Sequence, residues 1–189
     1  MQYLIQDDSP DEKIVKTVAG HFREGHVVIY PTDSLYAMGT MLTHQSTLIE
    51  KLAQIEREKD FGHLALLVDS FEMAQEFASI STPVFREIRA QKGSCTWILP
   101  ANRLVFKRLK LPKREQVGIR ICKNPFVKAL IRELGLPIVS ASLEGRDPDY
   151  WQYGDPDEIS VRFGQIADIV VQSGFVMGEP SVVIDRTES

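Results

Sequence analysis

Thr32 and Ser34, in PTDSLYAMG, offer two hydroxyls on a turn that follows a β-branched run. Ser140 and Ser142, in VSAS, alternate at strand spacing, so both project to one face, where two hydroxyls can donate to a single phosphate. Thr96, in KGSCTW, leads into another apolar run, and Gly39 permits close backbone approach to a ligand. Arg120 stands between Ile119 and Ile121 in a stretch that otherwise reads as a buried strand. A guanidinium placed there needs an anionic partner, either a phosphate or carboxylate ligand or a structural Asp or Glu, unless the position faces outward. The hydroxyls have an ordinary alternative as well, because Ser, Thr and Asp satisfy their own backbone in turns. Neither GxGxxG nor GxxxxGKS/T occurs, so the two commonest phosphate-cradling loops are absent.

Other chemistry-bearing residues give weaker patterns. Between residues 102 and 116, Arg103, Lys107, Arg108, Lys110, Lys113 and Arg114 face a single acid, Glu115. This is either a patch for a phosphate backbone or a solvated cationic loop. The net charge of −4 means that any nucleic-acid contact must come from such a local patch, because the molecule as a whole repels polyanions. Tyr150, Trp151 and Tyr153 could stack on a base, but aromatics beside Asp-Pro turns commonly cover a core edge. The histidines, at 21, 26, 44 and 63, are scattered without an HxxxH or Cys/His cluster, and no structural metal is expected. Cys95 and Cys122 lie in separate apolar stretches and read as core thiols.

The elements that must position these groups alternate. At 189 residues, 43% hydrophobic and 25% charged, the chain predicts one globular domain with one substantial core. Ser9-Pro10 and the acids after it start a helix carrying Ile14, Val18 and Phe22, and a strand over 26–30 follows. PTDSLYAMG is expected to be the loop at its carboxyl end. A helix through Leu48 and Leu52, a strand at 64–68, two helices opened at Asp69 and Thr82, and strands at 96–99 and 117–121 come next. Asn124-Pro125 opens the clearest helix, which Gly135 and Pro137 stop before a strand at 138–140. Asp155-Pro156 opens the last helix, ahead of strands at 168–171 and 182–185. Several strands are joined by hairpin-length loops, so the α/β sheet should be mixed. The first residues, MQYLIQDDSP, have no basic start and meet two aspartates early, so they read as neither signal nor transit peptide. No stretch reaches the roughly 20 apolar residues of a membrane span; a cytoplasmic setting is expected.

Taken in order, VVIYPTDSLYAMG, GIRIC, PIVSAS and SVVID resemble the motifs of the YrdC family over about Val27 to Asp185. The resemblance implies a twisted mixed sheet flanked by helices around a large concave cavity. It also implies the chemistry of threonylcarbamoyl-AMP synthases, which join ATP, with Mg2+, to L-threonine and bicarbonate in tRNA threonylcarbamoyladenosine modification. By that resemblance Thr32 and Tyr36 border the amino-acid end, Arg120 meets carboxylate or phosphate, Thr96, Ser140 and Ser142 meet the nucleotide phosphates, and Ser181 lines the wall, with Ser34 in the same substrate or nucleotide site.

Two departures bear on activity. Where the synthases carry Lys-x-Arg this chain has Glu56-Arg57-Glu58, although a one-residue shift presents Arg57 and Lys59 instead. Where they carry Ser-x-Asn it has Ser142-Leu143-Glu144. Added carboxylates would repel a triphosphate. The pattern is similar to the YciO-like branch of the family. The expectation is a nucleotide- and RNA-binding protein, for tRNA or double-stranded RNA, with synthase activity weak or lost; the alternative is an active synthase.

Overall fold

Helices begin where the sequence supplies a cap. In α1 (Glu12–Arg23), the Asp11 carboxylate accepts from Lys13 N at 2.7 Å and Ile14 N at 3.3 Å, filling donors the first turn leaves open. In α6 (Pro125–Leu134), Asn124 accepts from Val127 N at 3.1 Å, Pro125 takes the first helical position and Gly135 closes the helix at φ +67°. Phe126, Val127, Leu130, Ile131 and Leu134 form its buried face, each such side chain contributing about 1.5–3 kcal/mol on burial.

The computed structural model describes residues 1–5, 10–54, 64–110, 112–113, 115–144 and 149–188. Among them lie strands β1 (Gln2–Leu4), β2 (Val28–Pro31), β3 (Tyr36–Met41), β4 (Ala65–Val68), β5 (Cys95–Pro100), β6 (Gln116–Ile121), β7 (Ile138–Ser142), β8 (Ile169–Gln172) and β9 (Val182–Asp185). Besides α1 and α6, the helices are α2 (Gln45–Leu52), α3 (Phe71–Phe77), α4 (Thr82–Ala90), α5 (Arg103–Arg108) and α7 (Pro156–Phe163). None of the described helices is long and apolar enough to cross a membrane.

The strands make one mixed sheet in the order β1-β8-β2-β3-β7-β4-β6-β5-β9, the α/β architecture the sequence predicts. Alternation splits the core between its faces. Val28, Tyr30, Ala37, Leu67 and Ile138 pack against α1 and α6, while Ile29, Met38, Leu66, Ile119 and Val139 pack with side chains of α2, α3, α4, α5 and α7. Because both faces are covered, β2 and β4 are buried at every position and show no polar alternation.

Three expectations change. PTDSLYAMG is not all loop: only residues 32–35 turn, and β3 runs back antiparallel to β2, pairing Tyr36 with Pro31 and Gly39 with Val28. Gly39 serves packing, not a ligand, because a Cβ there would lie 2.6 Å from the Tyr30 hydroxyl and 2.7 Å from the Val139 carbonyl. The first residues also form a strand, β1, parallel to β8. The cationic run, read as a patch or a solvated loop, carries a short helix, α5. Elsewhere the differences are boundaries: α3, for example, is capped by Ser70, which accepts from Met73 N at 3.2 Å, not by Asp69.

Candidate functional site

Strand register and side-chain contacts together gather the candidate residues. β2 and β7 end and β3 begins beside the 32–35 turn, because Pro31 pairs with Tyr36 and Ala37 with Ser142; β4 and β6 run antiparallel to β7, so Leu67 and Arg120 lie level with its first residue, Ile138, and the Arg120 side chain closes the distance to the turn. Residues directly opposite in adjacent strands share a face, so Ser140, Ser142 and Arg120 project to the α1/α6 side.

Arg120 is the centre. It is 5% exposed, and its Nη2 donates to Thr32 Oγ1 at 3.2 Å, Asp33 Oδ1 at 3.1 Å and Ser34 Oγ at 3.0 Å. The turn that presents these acceptors is fixed by Thr32, whose Oγ1 donates to Leu35 O at 2.7 Å and accepts from Ser34 N at 3.1 Å. Asp33 is the anion that the buried strand arginine required. Burial alone would raise its carboxyl, but the Arg120 guanidinium, with backbone N–H donors at Asp33 and Lys123, outweighs that and holds it below the usual carboxylate range. The pairing leaves a remainder: Arg120 Nε is buried with no partner among the described residues. A buried N–H without an acceptor costs about 1–3 kcal/mol, and an anion arriving on that edge of the guanidinium relieves the cost.

The hydroxyls around it are partly engaged. Ser140 Oγ accepts from the Tyr30 hydroxyl at 2.8 Å, and Thr96 Oγ1 lies 3.3 Å from Ser181 Oγ. The Tyr36 hydroxyl donates to Gly174 O at 2.8 Å and accepts from Ser173 N at 3.0 Å. Cys122, which the sequence presents only as core, donates from Sγ to Asp33 Oδ1 at 3.5 Å, and burial first, then the Asp33 charge, pushes its thiol up to about 12. Cys95 is likewise buried and free.

Glu144 is buried beside these groups. Burial raises its carboxyl above the ordinary range, and the backbone donors at Glu144 and Leu143, the Ser142 hydroxyl and the Arg120 charge only partly offset this. The folded state therefore holds the proton more tightly than the unfolded chain, so this group stabilises the fold below the ordinary carboxylate range and the gain is lost as pH rises through the folded pKa. Glu144→Gln, which stays neutral, should melt a few degrees above the parent at pH 8, with the difference vanishing near pH 4; thermal unfolding across that range checks it.

One segment closes over the strand ends. The nine residues 173–181 leave β8 near one edge of the sheet and enter β9 at the other, ten Cα–Cα steps with a maximum reach of about 35 Å. Seven strand spacings in a flat sheet would need about the same length, so the sheet must curl around the site for this strap to make its contacts. Those contacts run along the whole path: Val176 N donates to Gly154 O at 2.8 Å, a Cβ on Gly178 would lie 2.1 Å from Ser34 O, and Ser181 reaches Thr96.

Three sets of candidates lie elsewhere or outside the described residues. Arg57 and Lys59, with Glu56 and Glu58, fall outside them, as does Arg114. Within the cationic run, α5 anchors Val105 and Phe106 in the core and leaves Lys107, Lys110 and Lys113 exposed, while Arg103 pairs with Glu115 at 3.3 Å. This run joins the end of β5 to the start of β6, so it is at the opposite end of β6, about 13 Å along that strand from Arg120. Tyr153 is buried against Phe163 and covers the core edge, while Trp151 is exposed.

Residues 21–189 match the Sua5/YciO/YrdC family model, described as telomere recombination. The Escherichia coli (strain K12) protein YciO is 28% identical over 187 residues, 98% of this chain and 90% of that protein. The E. coli YciO crystal structure superposes with a TM-score of 0.85, covering all of this chain and 91% of that one. A threonylcarbamoyl-AMP synthase of Aliivibrio fischeri is 26% identical over 142 residues, 72% of this chain and 76% of the synthase. P. abyssi Sua5 complexed with L-threonine shares the fold, with a TM-score of 0.76 at 21% identity, covering all of this chain and 55% of that one.

Proposed function

We propose, from the premise that the chain belongs to the Sua5/YciO/YrdC family, that its strand-end site binds a nucleotide through phosphate contacts at Arg120 and that its threonylcarbamoyl-AMP synthase activity is weak or lost. The observation that carries this reading is the buried Arg120 Nε, a charge-bearing donor with no acceptor among the described residues, beside the hydroxyls of Thr32 and Ser34. Mg2+ on the triphosphate would neutralise charge that one guanidinium alone does not. Reduced synthase activity follows from Glu144, because an acid buried next to Ser142 crowds the place where synthases carry a neutral amide. L-threonine, which the P. abyssi Sua5 structure contains, and bicarbonate are the co-substrates of the alternative reading.

Two measurements separate the readings. Equilibrium binding should find a saturable site for ATP with Mg2+, and a mixture of ATP, L-threonine and bicarbonate should release pyrophosphate at no more than the background rate. Threonine-dependent pyrophosphate release establishes the synthase instead, and absence of ATP binding defeats both. The reading also gives the chain an RNA partner, engaged by the exposed lysines of the 103–114 run. Because the run lies at the far end of β6 from Arg120, RNA and nucleotide should bind without competing. Changing Lys107, Arg108, Lys110 and Lys113 together to glutamine should weaken tRNA or double-stranded RNA binding and flatten its salt dependence by roughly one logarithmic unit for each phosphate no longer neutralised. Unchanged affinity and slope remove RNA from the reading.

A further inference from the structure

The fold gathers two of the histidines that the sequence scatters. At the end of α1, Gly25 adopts φ +83°, Gly25 N donates to Phe22 O at 3.1 Å and His26 N donates to His21 O at 3.1 Å. This is the helix-ending turn in which the residue just beyond the glycine folds back onto the helix's last turn. In most helices that contact is apolar; here it joins His21 to His26, with Glu24 between them in sequence.

We infer that His21, Glu24 and His26 form a binding site for a divalent transition cation of the zinc class, remote from the strand-end site. His21 Nδ1 and His26 Nδ1 are 3.2 Å apart, and Glu24 Oε2 is 3.8 Å from the first and 3.6 Å from the second. A point equidistant from three atoms so spaced is about 2 Å from each, the length of a zinc–imidazole or zinc–carboxylate bond (about 2.0–2.2 Å). Two imidazoles and a carboxylate suit zinc, copper or nickel better than magnesium or calcium, which prefer all-oxygen shells.

The surroundings orient the ligands. The Tyr3 hydroxyl donates to Met1 Sδ at 2.9 Å and is 3.0 Å from His21 Nε2, so its oxygen is placed to accept from Nε2–H. That tautomer leaves the lone pair of His21 on Nδ1, facing the cluster, which is the outer-shell arrangement that metal-bound histidines use. Without an ion, the 3.2 Å contact accommodates one N–H···N bond donated by His26; a cation at Nδ1 takes the tautomer of His26 that carries its proton on Nε2. The carboxyl end of α1 adds the negative pole of its dipole. The His26 and Glu24 side chains are 39% and 67% exposed, which leaves room for water or another ligand in a fourth position. Both cysteines are buried with thiols raised by burial and do not compete as ligands.

Titration of the full, tag-free chain with Zn2+ by calorimetry should show one equivalent bound. His21→Ala and His26→Ala should each weaken it by tenfold or more, and Tyr3→Phe by about tenfold through the lost orientation of His21. Glu24→Gln, an exposed change that leaves the fold intact, should also weaken it. Co2+ bound at the same site should give visible absorption bands that vanish in His26→Ala. No saturable Zn2+ binding, or equal affinity in the parent and both histidine variants, overturns the inference.

Discussion

Arg120→Ala is expected to destabilise the protein by about 3–5 kcal/mol and to abolish ATP binding. The stability loss comes less from the bonds removed than from what is left behind: Asp33, largely buried, keeps a charge whose chief compensation was the guanidinium. Thr32 and Ser34 lose the donor that ties the 32–35 turn to β6. Because burial pushes Asp33 upward once Arg120 is gone, its carboxyl should titrate above the ordinary range in the variant, whereas in the parent it lies below it. The sign of its pH dependence therefore reverses. In the parent, Asp33 contributes stability above its unfolded pKa, and that contribution is lost as pH falls through the lower folded value. In the variant, acid protonates an unpaired buried carboxylate and should relieve part of the damage. Chemical denaturation of both proteins at pH 4 and pH 7 measures this, and a gap that does not narrow in acid would show that Asp33 is not the group left unpaired. Arg120→Lys separates charge from shape. It should recover part of the stability, because a cation still faces Asp33, but little of the binding, because the fork that presents both Nε and Nη2 is gone.

How much of the fold and the site is legible in the sequence depends on the distance over which each feature is decided. The cap, buried face and stop of α6 are written within Asn124 to Gly135, and the structure places them where the sequence does. β3 reads as loop because YAMGTM is buried at nearly every position and shows no alternation; its strand character comes from pairing with β2 on one side and β7 on the other. β1 is three residues with mostly exposed side chains, so no apolar pattern marks it. Arg120 is conspicuous because a charge between two isoleucines is locally anomalous, yet Asp33, 87 residues away, is not identifiable as its partner from the sequence. The hydroxyls of Ser140 and Ser142 are placed on one face by strand spacing alone, while Glu144 stands out only as a departure from the family pattern, and its burial needs the fold. The His21–His26 contact has a local signal, a glycine just past a helix end with histidines on both sides of it, but the spacing is that of a helix-ending turn and not of a helix face.

Gly178→Ala should release the strap that crosses the strand ends. A Cβ at this position would lie 2.1 Å from Ser34 O and 2.7 Å from its carbonyl carbon, and these are backbone atoms that no rotamer change can move. Either the 32–35 turn or residues 173–181 must shift by on the order of 1 Å, at a cost of about 1–3 kcal/mol. The strap is the softer of the two. It is partly exposed and held by a few bonds, whereas the turn is buried and tied to Arg120. Displacing it takes Gly174 O and Ser173 N from the Tyr36 hydroxyl and Ser181 from Thr96, so one methyl group disturbs contacts at both ends of the strap. A ligand that enters over the strand ends must pass the strap, so the variant should exchange ATP faster in both directions, with the dissociation rate rising more because the closed form no longer holds the bound state. Stopped-flow rates with a fluorescent ATP analogue, beside amide exchange over residues 173–181, test the two halves together. Faster amide exchange with unchanged ligand rates would mean that the strap braces the fold but does not cover the path to Arg120.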